Sequence, residues 1–358
     1  MLNKFQILNT FLELIKIDSV SGEEEKVADY IIGYLQGLGI KAKKDHYGNL
    51  IAKIEGRDKP LFLAAHMDTV EPGRNIKPIV RGDKIMSDGT TVLGADDKAG
   101  ITEILEGVRF LKEKKIIHRP LELIFTREEE IGVKGSLNLD YRKIKAREGV
   151  VLDACRKIGH VIIASPYIYS IRIKIKGRSA HSGVSPEKGI NALLVAVEAI
   201  SNLKIGRIDK ETTNNIGVLK SGMAMNSVPA EVEILAEARS HVLGKVKKQV
   251  ELFKKAFGAA TKKYGAKLEF KAIKECSGYN YSKDDVFIKK ISLVNEKLNI
   301  NTVYEVTGGA SDVNIFSGHG LKVVDVAYGG RDMHTVKESI NLKELMKMVE
   351  WVIEFCKN

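Results

Sequence analysis

Residues 60–68 read PLFLAAHMD, an uncharged apolar run that ends in a histidine and, two positions later, an aspartate. The stretches PLELIFT (residues 120–126) and GVVLDA (residues 149–154) are likewise almost free of charge. Runs of this length without polar alternation are typical of strands buried on both faces of a parallel sheet. Between them, ITEILEGVRFLKEKK (residues 101–115) has the apolar spacing of a helix. Together these patterns predict an α/β fold built around a mostly parallel sheet.

Upstream of this sheet, the sequence predicts a helix with a defined start. Ser21 and Glu24 have the spacing of a capping box, in which each side chain binds the backbone amide of the other residue. Apolar residues follow on one helical face at Val27, Ile31 and Leu35. We therefore expect Ser21 to cap a helix that ends near Gly37 and Gly39.

The pattern changes near residue 166. In the segment IYSIRIKIK, residues 168–176, isoleucines at 171, 173 and 175 alternate with basic residues at 172, 174 and 176, as a one-sided antiparallel strand requires. A helix, two strands, a basic amphipathic helix and a final strand follow, which is the β-α-β-β-α-β order of a ferredoxin-like module. We predict an inserted domain at residues 166–277, with residues 1–165 and 278–358 forming the other domain.

The composition of the 358-residue chain excludes several classes of protein. A hydrophobic content of 44% and only 7 prolines exclude a disordered or collagen-like chain. No apolar run approaches the roughly 20 residues that span a bilayer, and the amino-terminal stretch indicates a helix and not a signal peptide. Three widely separated cysteines are typical of reduced thiols. We therefore expect a cytoplasmic protein with no membrane partner.

The formal net charge of +11 does not by itself indicate a nucleic-acid partner. The chain has no run of five or more basic residues, and aromatic residues make up only 6% of it, too few to suggest a base-stacking surface. We interpret the surplus as lysines spread over solvated faces, and we expect no nucleic-acid partner.

Side chains that can bind metal ions follow the predicted strands. They are His66 with Asp68, the glutamates at 128–130, Asp153, and His334 after the run LKVVDVAYGG. Because ligands bind beyond the carboxyl ends of strands in open α/β sheets, we expect these groups to converge in one crevice. Each motif alone is also consistent with a turn, a solvated loop or a core histidine. Together they bring more acid into one crevice than it could hold without cations.

The segment GADDKAG, residues 94–100, has two interpretations. An Asp-Asp pair at a helix start is typical of a helix cap, where carboxylates are favoured by the helix dipole. The alternative is a carboxylate that bridges two metal ions, and the neighbouring candidate ligands favour it. The His-x-Asp spacing supports a metal site as well, because Asp68 can accept a hydrogen bond from the ring nitrogen of His66 that does not bind the metal.

Six motifs in order resemble one enzyme family. They are HMDTVEPG (66–73), SDGTTVLGADDKAG (87–100), EEIGVKGS (129–136), GRSAHSG (177–183), GGASD (308–312) and HTVKE (334–338). The chain thereby resembles the cocatalytic zinc metallopeptidases that include peptidase T, carboxypeptidase G, aminoacylase and succinyl-diaminopimelate desuccinylase, and above all the peptidase T-like branch. The resemblance covers nearly the whole chain and implies that the inserted domain is a lid and dimerisation domain.

The resemblance implies a role for each candidate ligand. Asp96 bridges two divalent metal ions, which would be zinc, with cobalt or manganese as alternatives. The remaining ligands are His66 and Asp153 for one ion, and Glu130 and His334 for the other. Asp68 orients His66, and Glu129 is the general base that moves a proton from water to the leaving amine. The glutamate triplet leaves Glu128 as an alternative base, but in the family the two adjacent glutamates directly precede an Ile-Gly step, here Ile131-Gly132.

The resemblance also implies residues outside the metal ligands. His181 would reach the active site of a partner subunit and stabilise the oxyanion, although the pattern alone equally predicts a polar loop residue. Asn226 and Arg239 resemble substrate-contacting positions, and Gly309 and Ser311 lie where a backbone donor would line the pocket. The approach to His334, GGRDM, leaves Arg331 and Asp332 as further candidates for specificity.

These expectations define a function with alternatives. We expect a metal-dependent exopeptidase that hydrolyses the N-terminal peptide bond of short peptides, is tripeptide aminopeptidase-like, and works as a homodimer through the lid. An N-acyl-amino-acid or dipeptide amidohydrolase or carboxypeptidase with the same metal core is the alternative, since the pocket decides the substrate. A self-compartmentalising aminopeptidase is disfavoured by the lid motif GRSAHSG. A non-catalytic polyanion-binding protein is disfavoured by the complete ligand set.

Overall fold

The computed structural model describes residues 2–357 and divides the chain into two compact units. The first unit runs from the amino terminus to Ile163 and continues through Tyr281–Thr307 and from Ser311 onward. The second comprises Ala164–Asn280 together with the short segment Gly308–Ala310. The predicted insertion at residues 166–277 lies inside the second unit, and no sequence signal indicated the return at Gly308–Ala310.

The secondary structure of the described residues follows in chain order. The strands are β1 (Ala42–Lys44), β2 (Leu50–Ile54), β3 (Leu61–His66), β4 (Ile79–Arg81), β5 (Lys84–Met86), β6 (Leu121–Thr126), β7 (Glu148–Ala154), β8 (His160–Ser165), β9 (Tyr167–Lys176), β10 (Gly206–Arg207), β11 (Thr212–Ser221), β12 (Glu231–Ser240), β13 (Lys267–Cys276), β14 (Tyr279–Asn280), β15 (Val303–Val306), β16 (Lys322–Ala327), β17 (Gly330–Arg331) and β18 (Ser339–Asn341). The α-helices are α1 (Lys4–Ile15), α2 (Glu25–Gly37), α3 (Ala95–Glu113), α4 (Lys134–Leu137), α5 (Ala192–Ser201), α6 (Leu243–Tyr264), α7 (Val286–Lys297), α8 (Asp312–Gly318) and α9 (Leu342–Lys357). Over this part of the chain, no helix combines the length and apolar character needed to cross a membrane.

The central sheet of the first unit has the strand order β1-β2-β6-β3-β7-β16-β8. The inner strands β6, β3, β7 and β16 are parallel to one another, whereas β2 and β8 pair antiparallel. β3 and β6 are buried along their whole length, as their mostly apolar sequences predict. The nearly fully buried α3 packs against β3 and β7, and α1 and α9 pack against α3. The predicted α/β fold with a mostly parallel sheet is confirmed.

The second unit is an antiparallel sheet with two helices packed against it. Its strand order is β10-β11-β12-β9-β13, and α5 and α6 supply the helical layer. On β9 the isoleucines at 171, 173 and 175 are buried, while Arg172 and Lys176 are exposed. The apolar side of the basic helix α6 is buried at Val246, Val250, Phe253 and Phe257. The ferredoxin-like order is therefore confirmed, with the short β10 as an addition.

The predicted capping box at Ser21 and Glu24 is wrong. The helix α2 begins at Glu25, and its N-cap residue Glu24 makes no side-chain capping bond. Instead, Glu24 Oε1 accepts from the amide of Gly22 at 2.8 Å, and the Ser21 hydroxyl donates to Asp68 Oδ2 at 2.6 Å. A hydrogen bond to a carboxylate is stronger than one to a neutral group, so Ser21 binds Asp68 and not the helix amides.

Candidate metal centre

The candidate ligands lie together at the carboxyl end of the parallel strands. His66 is the last residue of β3, and Asp153 is the next-to-last residue of β7. Glu130 lies in the loop after β6, and His334 lies in the loop between β17 and β18. Asp96 stands at the start of α3, where the backbone of Asp96 and its neighbour departs from helical geometry. The side chains that sequence analysis singled out are thus delivered to one place by separate elements of the first unit.

The two oxygens of Asp96 face different histidines. His66 Nε2 is 3.2 Å from Asp96 Oδ1, and His334 Nε2 is 3.2 Å from Asp96 Oδ2. His66 Nε2 is also 3.5 Å from Asp153 Oδ1, and His334 Nε2 is 2.8 Å from Glu130 Oε1. Two three-residue groups that could each hold an ion therefore share Asp96. We name them the His66 site (His66, Asp96, Asp153) and the His334 site (Asp96, Glu130, His334).

Glu129 and Glu128 have different surroundings. Glu129 offers a carboxylate oxygen close to ligand atoms of His66 and Glu130, at the side of both candidate sites. The Glu128 carboxylate instead accepts from the Tyr47 hydroxyl at 3.2 Å and the Lys134 ammonium at 3.0 Å. This difference favours Glu129 over Glu128 as a group that acts on a substrate.

Asp68 connects the metal ligands to the loop that carries Glu129. Its side chain is fully buried, and Oδ1 lies 3.3 Å from His66 Nδ1, a ring nitrogen without an aligned hydrogen-bond partner. The amides of Glu129 and Glu130 donate to Asp68 at 2.9 and 3.2 Å, and the Ser21 hydroxyl completes its partners. Asp68 therefore does more than face His66, because it also fixes the backbone of the candidate ligand Glu130 and of the candidate base Glu129.

Asp97 performs the capping role that the sequence left open for the Asp-Asp pair. Its Oδ1 accepts from the amide of Gly100 at 3.1 Å, and its Oδ2 accepts from the amide of His66 at 3.2 Å. A Cβ at Gly100 would lie 2.4 Å from Asp97 Oδ1 and 2.6 Å from the carbonyl oxygen of Leu152, so the site requires glycine there. The capping interpretation therefore applies to Asp97, whereas Asp96 faces the histidines, and its role as a bridge between two metal ions stays a prediction.

Sequence reasoning gave no role to Glu338, the last residue of the motif HTVKE. Its buried carboxylate accepts from the amides of Leu93 at 2.7 Å, Gly94 at 2.8 Å and Asp96 at 3.0 Å. Burial raises the pKa of Glu338 to about 7. The motif places this carboxyl group four residues after His334, but its spacing does not indicate the contact with the amides of residues 93–96.

The electrostatics of the cluster indicate missing positive charge. Burial raises the pKa of Glu129 and of Asp153 well above their ordinary values, and neighbouring carboxylates add to the effect. Hydrogen bonds to Asp96 and then Glu130 raise the pKa of His334 to about 10. Burial disfavours the charged form of Asp96, yet hydrogen bonds from His334 and His66 hold its pKa below the ordinary value. These directions mean that positive charge next to the carboxylates stabilises the cluster.

The residues present fit two divalent metal ions. Histidine nitrogens and carboxylate oxygens are the ligands that zinc takes in proteins, and a shared carboxylate is typical of paired sites. The three carboxylates Asp96, Glu130 and Asp153 carry three negative charges, so two divalent ions would bring this ligand set to about +1. The buried Asp68 beside His66 Nδ1 is the outer partner that a metal-binding histidine requires.

The predicted lid residues lie in the second unit. His181 is exposed, and its Nδ1 accepts from the amide of Gly183 at 3.2 Å. The exposed Asn226 is joined to the same loop, because its carbonyl oxygen accepts from the amide of Ser182 at 3.0 Å. The Arg239 guanidinium binds the Glu237 carboxylate and the carbonyl oxygen of Gly308.

Ser311 and Gly309, the remaining predicted substrate-binding residues, make hydrogen bonds to neighbouring protein groups. The Ser311 hydroxyl oxygen accepts from the Val313 amide at 3.3 Å and its own amide donates to Asn314 Oδ1 at 3.1 Å, so Ser311 caps α8. The same hydroxyl donates to Asp325 at 2.7 Å. The carbonyl oxygen of Gly309, within the second unit, accepts from the Ser165 hydroxyl at 2.8 Å.

Arg331 fixes the start of the loop that carries His334. Its guanidinium donates to the carbonyl oxygens of Gly329 and Gly330 at 2.8 and 2.7 Å, and to both oxygens of Glu344. Those contacts give Arg331 a structural role.

Comparison with known proteins places these observations in context. Residues 163–265 match the model of a peptidase dimerisation domain, and residues 49–157 match that of peptidase family M28. The chain is 31% identical to peptidase T of Fusobacterium nucleatum over 80% of this chain and 70% of that protein. It is similar to the crystal structure of aminopeptidase PepT from Bacillus cereus, with 36% identity, a TM-score of 0.94, and coverage of 99% of this chain and 98% of the other. A tripeptidase from Staphylococcus aureus is 34% identical with a TM-score of 0.94, and the match covers 100% and 98% of the two chains.

Proposed function

The chain belongs to the peptidase T-like branch of the dimetal metallopeptidases, and from this premise we propose that it removes the N-terminal residue of tripeptides. The observation that carries the proposal is Asp96, whose two carboxylate oxygens face His66 and His334 in two adjoining ligand groups with Glu129 beside them. The similarity to an aminopeptidase and a tripeptidase over essentially the whole chain supports the choice of substrate.

We propose that the His66 site and the His334 site each hold one zinc ion. When bound, such a pair polarises the scissile carbonyl and lowers the pKa of a coordinated water. The chain's own contribution is to keep the five ligands in place, and the anchoring of Asp68 to two loop amides and Ser21 supports that role. Zinc fits the mixture of histidine and carboxylate donors, which would also accept cobalt or manganese.

Glu129 is proposed as the general base. Its carboxylate takes a proton from the attacking water and returns it to the leaving amine, so the amine departs in its neutral form. The position of its carboxylate supports this role, because one oxygen lies close to ligand atoms of both His66 and Glu130. The bond from its own amide to Asp68 keeps the carboxylate beside the ligand groups.

His181 is proposed as the donor that stabilises the oxyanion in the active site of a partner subunit. A donor of this kind acts on charge that develops only in the transition state. The bond from the Gly183 amide occupies Nδ1 of His181, so its proton would be carried on Nε2, the nitrogen available to a substrate. Asn226, on the adjoining loop, is proposed to contact the peptide.

We propose that the protein is a cytoplasmic homodimer formed through the second unit. Within the described residues, β10 pairs with β11 only at Asn214 and Thr213, which leaves Ile216 to Ser221 as an open sheet edge. This strand exposes Leu219, and α5 exposes Leu194 and Val197. Open edges and exposed apolar residues are typical of association surfaces, and the peptidase dimerisation domain match covers this part of the chain.

A panel of blocked tripeptides tests the proposed activity. The purified protein, loaded with zinc, cobalt or manganese in separate assays, is given tripeptides with free or acetylated N-termini and free or amidated C-termini. We expect release of the N-terminal residue only when the N-terminus is free, loss of activity after chelation, and recovery when a divalent metal is added back. Equal cleavage of acetylated peptides would instead identify an amidohydrolase of N-acyl substrates.

A further inference from the structure

Glu338 makes more contacts to the metal-binding loop than its sequence position suggests. The carboxylate is 1% exposed, with Oε2 shared by the amides of Leu93 and Gly94, and Oε1 accepting from the amide of Asp96. Its own backbone oxygen accepts from the amide of Ser87 at 3.2 Å. One side chain therefore accepts hydrogen bonds from three amides within residues 93–96, the segment that leads to the shared candidate ligand Asp96.

These three amides need an acceptor that the helix itself does not provide. The first amides of a helix have no partner within it, and here Gly94 has a φ of +72° while Asp96 is not helical. A buried amide without a partner costs free energy comparable to a lost hydrogen bond. The Glu338 carboxylate supplies the missing acceptor at the residue whose side chain faces both histidines.

The two candidate metal sites differ in how much they depend on this contact. His66 and Asp153 belong to the paired strands β3 and β7, so the sheet fixes their backbones. His334 lies in a loop with a φ of +60°, and its side chain is 44% exposed. Glu338, four residues further on, ties that loop directly to Asp96. It therefore joins two of the three residues of the His334 site.

We propose that Glu338 is a positioning residue that holds Asp96 and His334 in register, so that the His334 site keeps its metal ion. The proposal rests on the proposed function only in taking the two ligand groups as metal sites. If the proposal is right, loss of the three amide contacts of Glu338 weakens metal binding at the His334 site alone. If Glu338 is only a structural cap, its loss lowers metal affinity at both sites and the stability of the fold.

The test compares E338Q with E122Q, a matched control whose buried carboxylate lies on β6 of the central sheet. Glu122 is also buried, and its Oε2 accepts from the amides of Lys145 and Ala146 at 2.8 and 2.9 Å. Zinc binding to the full chain is measured by titration against a chromogenic chelator, with elemental analysis after dialysis. We expect E338Q to bind one ion as the wild type does and the other about 10–100-fold more weakly. E122Q should bind both ions with wild-type affinity.

Activity provides a second readout that a structural role would not change. Raising the zinc concentration should restore turnover in E338Q, whereas any loss in E122Q should not respond to zinc. Wild-type affinity for both ions in E338Q would overturn the proposal, and so would an E338Q chain that fails to fold while E122Q folds. If the wild type binds two ions but hydrolyses no peptide, the proposed function fails while the role of Glu338 stands.

Discussion

The metal centre and the loop around His181 are built in opposite ways. In the centre, Asp96, His66 and Asp68 are buried, and each contacts other candidate residues of the same unit. In the second unit His181 and Asn226 are exposed. Their hydrogen bonds described above involve only Gly183 and Ser182, the two residues that follow His181 in the chain. From the proposed function we therefore expect metal affinity to depend on residues of the first unit, and His181 of the second unit to affect turnover without affecting metal affinity.

The largest expected effect comes from removing the base while leaving the metal ligands in place. E129A should bind two metal ions as the wild type does, because Glu129 belongs to neither the His66 site nor the His334 site. Its turnover should fall by about 10²–10⁴-fold, the usual contribution of a positioned general base. Metal content by elemental analysis and kcat on a tripeptide are measured on the same preparation.

Glu128 offers the matched control for that variant. Its carboxylate binds Tyr47 and Lys134, so E128Q should keep nearly full activity and both ions. A fully active E129A would remove the base from the mechanism. An inactive E128Q together with an active E129A would show that Glu128, and not Glu129, is the general base.

The second prediction concerns the other side of the comparison. H181A should reduce kcat by about 10²–10³-fold, the cost of removing one oxyanion donor, with unchanged metal content. The effect should appear mainly in kcat and not in KM, because the charge that His181 stabilises develops in the transition state. H241A, a histidine change in the same unit, is the control and should be close to wild type.

Loss of metal from H181A would contradict the division of labour between the two regions, since no ligand of either site is altered. An unchanged kcat would remove His181 from the oxyanion role. In that case the second unit would serve association alone, and the exposed edge of β11 would be its main functional feature.

The sequence predicted the parts of the molecule that depend on local pattern. Runs with little or no charge identified β3, β6 and β7. Strand ends identified His66 and Asp153 as candidate ligands, because the carboxyl ends of parallel strands meet at one edge. The roles of Glu338 and Ser21 could not be predicted in this way. Each is defined by a partner distant in the chain, Asp96 for Glu338 and Asp68 for Ser21, and local spacing carries no record of such contacts.

The third prediction, with the smallest expected effect, concerns Ser21, whose predicted capping role is wrong. It addresses how much the hydrogen bond from Ser21 to Asp68 contributes to stability and turnover. Its hydroxyl donates to the buried Asp68, so S21A leaves a buried carboxylate with one donor fewer. We expect the free energy of unfolding to fall by about 1–3 kcal/mol and turnover to fall by about tenfold, because Asp68 also positions the amide of Glu129. Chemical denaturation and tripeptide kinetics measure the two effects.

Ser19 is the control that separates the Asp68 contact from the loss of any buried hydroxyl. Ser19 is fully buried, two residues before Ser21, and its Oγ has no hydrogen-bond partner. Its backbone carbonyl accepts from the Thr69 amide, and a change of side chain does not remove that bond. S19A should therefore match or slightly exceed the wild type in stability and leave turnover unchanged. Equal losses in S19A and S21A would mean that packing around this segment matters and the bond to Asp68 does not. A loss confined to S21A would extend the metal centre to a residue that contacts no ligand directly, since Ser21 acts only through Asp68.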